Sequence, residues 1–352
     1  MAKEGIYFDK IQPILKRQND YNGWSLCVGA GVSYPLFPSW HELAGKLAVN
    51  IDDKVTVNKM GLENYGFSAD AIIQAVQNKY FLSDNAFSKY LIDTLYADFK
   101  ESMKPSEWSA YIKLQDSKTI STISHKTWEE FIDYRNTNLY KIAANDLAIT
   151  IANSIKAGIQ PENILSFNAE SLLYVLINSY IMEPNLHKPG QKSWIKIDHM
   201  ENGFSKHQNG RIPYIHCHGF LPCDSNKKRS YSNKLIFSEE SYLELANNAF
   251  SWQATTFINT CLNDRVVFVG VSLTDSNMRR WLNWAHSYKI NINKSYGNSS
   301  SNTAQHFWIK KIPDIPEQIS WIEAAVAHLG IRLIWIDSWD QAGMVLNKLI
   351  GL

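Results

Sequence analysis

The sequence predicts an α/β fold: a Rossmann-like parallel sheet of six strands, with helices on both faces and a helical insertion that caps it. Three observations carry the prediction. Apolar runs of strand length recur at residues 25–28, 163–167, 213–216, 265–270, 306–309 and 332–336, each holding β-branched or aromatic residues. Most are followed by small or polar residues and then by a helical pattern, the alternation expected of a parallel sheet covered on both sides. Six such strands is also the count of a dinucleotide-binding sheet.

The elements follow in order. The first strand runs into a small-residue turn, Gly29-Ala30-Gly31, and Ser39-Trp40-His41-Glu42 then fits a capping box that opens a helix to about residue 49. Residues 60–158 hold no strand-like run and show helical periodicity at 69–80, 86–99 and 140–156. They are expected to form an insertion over the carboxyl edge of the sheet, within one domain spanning 1–352. The second strand leads into residues 170–177, apolar nearly all round, as a buried crossover helix must be. Ser238 precedes Glu239-Glu240 and opens a helix with acids at its positive end. Asp275 or Ser276 starts a helix over 277–286, Pro316 starts one ending near Gly330, and a last helix closes the chain. Trp281 and Trp284, three apart on the first of these, are expected in the core. Residues 182–211 and 287–303 are polar and read as long loops, the kind that serve as lids.

Composition narrows the function. The chain has 352 residues, is 45% hydrophobic and 20% charged, and carries a formal charge of +1, which suits a packed protein. That balance lacks the basic excess of a nucleic-acid binder, and the densest basic run, Lys227-Lys228-Arg229, reads as a solvated loop. The first residues hold no apolar signal-peptide core, and no window approaches the ~18 uninterrupted apolar residues of a membrane span. A cytoplasmic protein without membrane contact is expected. Cysteines stand at 27, 217, 223 and 261 with no CxxC pair, so they are expected as reduced core thiols and no zinc or other metal site is predicted.

The chemistry concentrates at strand ends. In a turn of Gly29-Ala30-Gly31 the backbone N–H groups can approach a pyrophosphate closely, and Ser33 adds a hydroxyl. Alone, such a turn serves equally to change chain direction. No Lys-Ser/Thr follows it, and Tyr34 stands where a third glycine would complete a dinucleotide fingerprint. Asp52 and Asp53 lie at the distance of a ribose-binding acid but continue a helix. Asn168 and Glu170 follow the second strand, His218 the third, and Gly270, Ser272, Asp275 and Asn277 the fourth. All leave the same edge of one parallel sheet, where open α/β folds bind ligands.

These motifs, GAGVS followed by PSW, SFNAE, HG, LIFSEESYLEL and GVSLTDSN, together with HFWIKK and LGIRLIWID, occur in the order seen in bacterial sirtuin-like domains, and from about Ser25 to Leu352 the chain resembles them. The resemblance implies NAD+ as substrate and, in many bacterial members, its hydrolysis during defence against phage. It places the Gly29–Ser33 turn at the pyrophosphate, Asn168 at the nicotinamide ribose and a water, and Glu170 beside it. His218 falls on the catalytic histidine, and Gly270, Ser272, Asp275 and Asn277 on the adenosine side. The chain departs from deacylase sirtuins in lacking their paired-cysteine zinc ribbon and in reading Pro38-Ser39-Trp40 after the first turn. Glu170 stands where the family usually has Asp.

Each residue also has a plainer reading. Asn168 and Asp275 fit helix N-caps. His216 and His218, two apart, would share one strand face, with His216 a satisfied core or supporting histidine. The function expected is an NAD+ glycohydrolase releasing nicotinamide and ADP-ribose, acting as an abortive-infection effector. The alternatives are an ADP-ribosyl transferase or deacylase, and a nucleotide-sensing or scaffold module that binds NAD+ without turnover. A toxic hydrolase needs restraint, so the expected partners are further copies of the chain, a separate regulatory protein from the same operon, or both.

Overall fold

The computed structural model describes residues 5–15, 23–51, 66–81, 83–115, 123–185, 197–200, 210–223, 235–295 and 305–352. Asp52, Asp53 and Lys227-Lys228-Arg229 lie outside them. Eight strands form one sheet: β1 (Ile6–Tyr7), β2 (Gly23–Val28), β3 (Ile164–Ser166), β4 (Ile197–Met200), β5 (Ile212–His216), β6 (Asp264–Val269), β7 (His306–Lys311) and β8 (Ile331–Ile336). Their order is β1-β8-β7-β6-β2-β3-β5-β4, and all neighbours pair parallel. The expectation of six strands is thus corrected to eight. The six anticipated strands are the inner ones, in the 3-2-1-4-5-6 order of a dinucleotide-binding sheet. The two additions lie at the edges and escape the apolar-run criterion for different reasons. β1 is two residues long. β4, Ile-Asp-His-Met, falls inside the stretch read as a loop, because its polar residues are buried by partners from β5 and its approach. Asp198 meets Arg211 at 3.0 Å and His199 meets His216 at 2.7 Å.

The register sets one row of residues across the carboxyl edge. His216 aligns with Ser166, Ser166 with Val28, and Val28 with Val269. The loops after these four strands therefore leave at one level. Alternation along the strands builds two cores. Leu26, Val28, Ile164, Val267 and Val269 face one side, and Cys27, Leu165, Val266 and Phe268 the other.

The first side is covered by α1 (Trp40–Ile51), α2 (Ala69–Tyr80), α3 (Asp84–Glu101), α4 (Pro105–Leu114), α5 (His125–Asn138), α6 (Ala143–Lys156), α7 (Leu172–Met182) and α12 (Ala342–Ile350). The second is covered by α8 (Glu239–Asn247), α9 (Trp252–Asn263), α10 (Ser276–Ser295) and α11 (Gln318–Ala327). The capping box of α1 forms, with Ser39 N–H donating to Glu42 at 2.7 Å and Glu42 N–H to Ser39 Oγ at 3.3 Å. Leu172 to Ile177 are all buried, as a crossover helix between two layers requires. Helices α2–α6 occupy the stretch between β2 and β3. α5 and α6 pack on α7, and α6 also on α12, so this part lies on a sheet face. The carboxyl edge is reached by α2, whose Gln74 accepts from Glu240 N–H of α8 at 3.1 Å. Arg135 of α5 is buried against α7, bonded to Ser179 at 2.9 Å and stacked over Tyr180 at 3.8 Å, and it reaches Glu183 just beyond α7 at 2.7 Å.

Two further expectations change. α10 continues to Ser295, so residues 287–295 are helix rather than loop. Its buried stripe is Met278, Trp281, Leu282, Ala285 and His286. Trp284 falls beside that stripe and is exposed, with the Arg280 guanidinium 5.5 Å above its ring. Among the described residues no helix is long and apolar enough to cross a membrane.

Burial holds two histidines of the sheet neutral. Desolvation pushes His216 down to about 4, against a bond to Asn168 that favours the charged ring, and His306 down to about 3. A folded pKa below the unfolded ~6.5 means that each neutral ring stabilises the fold fully above pH 6.5. That contribution is lost as pH falls from there toward the folded values. In the folded protein both rings are expected to stay neutral at pH 5, read from histidine-ring NMR across a pH series. Protonation of either ring above pH 5.5 would contradict the burial argument.

Candidate active site

The turn after β2 is laced to the loop after β6. Gly29 N–H donates to Val269 O at 3.1 Å and Gly31 N–H to Gly270 O at 3.0 Å. Val32 and Ser33 N–H bond back to Gly29 O and Ala30 O, both at 3.1 Å. Four N–H groups of the anticipated phosphate turn thus already have backbone acceptors, and Ala30 is the exposed residue between them. The glycines have a steric cause. A Cβ on Gly29 would stand 2.7 Å from Gly270 O, and one on Gly31 3.0 Å from Gly270 Cα. Gly270 itself has φ +66° and would bring a Cβ within 2.5 Å of Val32 N. Small residues here let two backbone turns touch at the centre of the sheet edge.

Glu170 gathers the next group of bonds. It is buried and accepts from Ser33 Oγ at 2.7 Å, from Asn168 Nδ2 at 2.9 Å and from Leu172 N–H at the start of α7. Burial raises its pKa, and these three donors only partly offset that rise. Both anticipated ligand groups, the Ser33 hydroxyl and the Glu170 carboxyl, therefore spend these bonds on each other and on the fold. Asn168, 4% exposed, donates its N–H to Ser166 Oγ at 3.2 Å, and its carbonyl faces His216 Nδ1 at 3.0 Å. Its Oδ1 is buried with no partner among the described residues.

His218 comes after β5 has ended, in a turn completed by Gly219 at φ +87°. The turn takes it off the strand alternation, so the anticipated shared face with His216 is not formed. His216 lies with His199, while His218 lies with Asp275 and Tyr242. His218 Nε2 is 3.3 Å from Asp275 Oδ2, and Nδ1 is 3.3 Å from the Tyr242 hydroxyl. Asp275 also caps α10, accepting from Asn277 N–H at 2.8 Å and Met278 N–H at 3.4 Å. Burial pushes its carboxyl up, but His218 and the two amides outweigh that and hold it below the usual range. Burial raises Tyr242 well above its ordinary value, so its hydroxyl keeps its proton. The ionised Asp275 only accepts, so a neutral His218 ring carries its proton on Nε2 and leaves Nδ1 to accept from the Tyr242 hydroxyl.

The remaining anticipated residues divide. Asn277 is buried, donating to Tyr242 O at 3.4 Å and accepting from Arg280 at 2.6 Å. Ser272 is exposed, its hydroxyl 2.7 Å from that of Thr274. Sequence reasoning missed Tyr242. Its signal lay in the SEESYLEL run, where an aromatic follows a helix cap by one turn. Trp40 of the Pro38-Ser39-Trp40 departure packs edge-on to the Tyr242 ring at 6.5 Å.

A parallel sheet in this strand order, with two glycine turns touching at its switch point and polar groups from three strand ends beside them, defines an α/β protein of the nucleotide-binding class. Residues 180–334 match the family model described as a SIR2-like domain, so this part of the chain is similar to sirtuin-like proteins. The matched span carries His218, Gly270, Ser272, Asp275 and Asn277, while the β2 turn, Asn168 and Glu170 precede it. The SIR2-like domain is a fold of NAD-dependent enzymes and points to NAD-related activity. No curated protein matched the chain.

Gly29→Ala is expected to destabilise the fold by about 1–3 kcal/mol, because its Cβ lands on the Gly270 carbonyl. The denaturant midpoint checks this. An unchanged midpoint would remove the contact between turns as the reason for glycine.

Proposed function

We propose that the chain works as one sirtuin-like domain with residues 60–158 inserted, and that it is an NAD+ glycohydrolase releasing nicotinamide and ADP-ribose. The observation that carries this reading is the buried, unpartnered Oδ1 of Asn168 on the same sheet edge as the His218–Asp275 pair. A buried acceptor with no partner among the described residues, on the same edge as a histidine–carboxylate pair, suits a ribose hydroxyl. Asn168 Oδ1 accepts from that hydroxyl. His218 takes a proton at Nδ1, and Asp275 stabilises the ring by holding Nε2–H. Nδ1 now faces Tyr242, so a ribose hydroxyl or water must take the place of the phenol. The pyrophosphate lies at the exposed Ala30 tip between the two glycine turns, and Ser272 meets the adenosine side. Glu170, Gly270 and Asn277 hold these parts in place.

Asn168→Ala and His218→Ala are each expected to lower turnover at least 100-fold in folded protein, within the range that loss of an acid–base or positioning group produces. Free nicotinamide and ADP-ribose, followed after mixing purified protein with NAD+, give the measurement. Wild-type turnover in either variant would remove that residue from the reaction. Nicotinamide release matched by a modified acceptor, rather than by ADP-ribose, would favour the transferase.

We infer also that the enzyme is a defence effector switched on by self-association or by a partner protein. Asn168 is 4% and His218 7% exposed, and both His218 nitrogens face protein oxygens, so the site described here is closed. Opening must precede substrate entry, and a contact that favours the open state would supply it. Specific activity is expected to rise with protein concentration or on adding the partner. Full activity from a monomer at every concentration would contradict this.

A further inference from the structure

Asn168 is tied at every polar atom but one. Ser166 holds its N–H, Glu170 its side-chain amide, and His216 its carbonyl. A carbonyl only accepts, so His216 carries its proton on Nδ1, and in the neutral ring Nε2 is an acceptor. His199 Nε2 stands 2.7 Å from it, and two ring nitrogens at that distance need one proton between them. His199 therefore carries that proton. The donors run in one direction, from His199 through His216 to the main chain of Asn168. The chain starts on edge strand β4, crosses β5 and ends beyond β3. Aromatic rings fix its first member: Tyr174 stacks on His199 at 4.8 Å, and Phe220 meets it edge-on at 4.6 Å.

We propose that His216, oriented by His199, is a positioning residue that fixes the Asn168 main chain and thereby the place from which Oδ1 meets substrate. The effect on turnover rests on the glycohydrolase reading, while the fixing of Asn168 does not. Glu170 sets the rotation of the amide, but it cannot set the position of the backbone that carries it. A misplacement of about 1 Å at a reacting group costs roughly 100-fold in rate.

The test compares His216→Phe, which fills the space without a donor, with His216→Asn, whose amide N–H replaces Nδ1–H. His216→Phe is expected to lose 10- to 100-fold in kcat with KM within about twofold, and His216→Asn to recover most of that loss. Should His216→Phe fail to fold, His199→Phe removes the donor to His216 while keeping a ring in its place, and is expected to show the same split more weakly. A second readout needs no turnover: the Asn168 side-chain amide resonance in protein labelled with 15N-asparagine, assigned by its absence in Asn168→Ser. It is expected to move and broaden in His216→Phe (or His199→Phe) and to keep its place in His216→Asn. Equal kcat in wild type and His216→Phe, or equal loss in the Phe and Asn variants, overturns the proposal. If the wild type leaves NAD+ intact at every protein concentration and with the partner added, the glycohydrolase reading fails and the resonance alone decides. An amide unmoved in the donor-less variant then overturns the positioning role.

Discussion

The carboxylate of Glu170 is the constraint on which the carboxyl edge of this sheet depends. A buried carboxylate is tolerated only when donors surround it. Glu170 draws them from the turn after β2, from the residue after β3 and from the first turn of α7. The three elements that meet at the switch point are thus held by one group. The same bonds determine what Asn168 can offer. With its amide nitrogen bound to Glu170, its oxygen is the atom left over. A residue that faces no ligand here decides which atom of its neighbour can.

The second organising contact is the closure of the β2 turn on the loop after β6. Glycine at 29, 31 and 270 has a reason that precedes any ligand, since a Cβ at each would meet backbone. A close contact of backbones and an anion-binding turn would each call for small residues here, and for that reason the motif alone is ambiguous. The strand order puts both turns where β2 and β6 diverge to opposite halves of the sheet, the place at which open α/β folds bind ligands.

His218, Asp275 and Tyr242 form a unit that none of the three motifs reveals alone. Asp275 caps α10 with one oxygen and faces His218 with the other, so its plain reading as a cap and its part in the site hold together. Trp40 braces Tyr242 from α1, which links the departure at Pro38-Ser39-Trp40 to the histidine through ring contacts. His218 is buried, and Tyr242 and Asp275 are half-buried around it.

The class of sheet, its six inner strands, the capping box of α1 and the edge at which the polar residues gather are all legible in the sequence. Those follow from local patterns: apolar runs, small-residue turns and caps within a few residues of one another. It did not show β4, where Asp198 and His199 are made acceptable inside the sheet by Arg211 and His216. Nor did it show that Ser33 bonds to Glu170, that Asp275 faces His218, or that Trp284 lies off the buried stripe of α10. These are contacts between segments distant in the chain. Each depends on which side chain lies opposite another once the parallel register is set, and that register is fixed by the packing of the whole sheet rather than by any one stretch of chain.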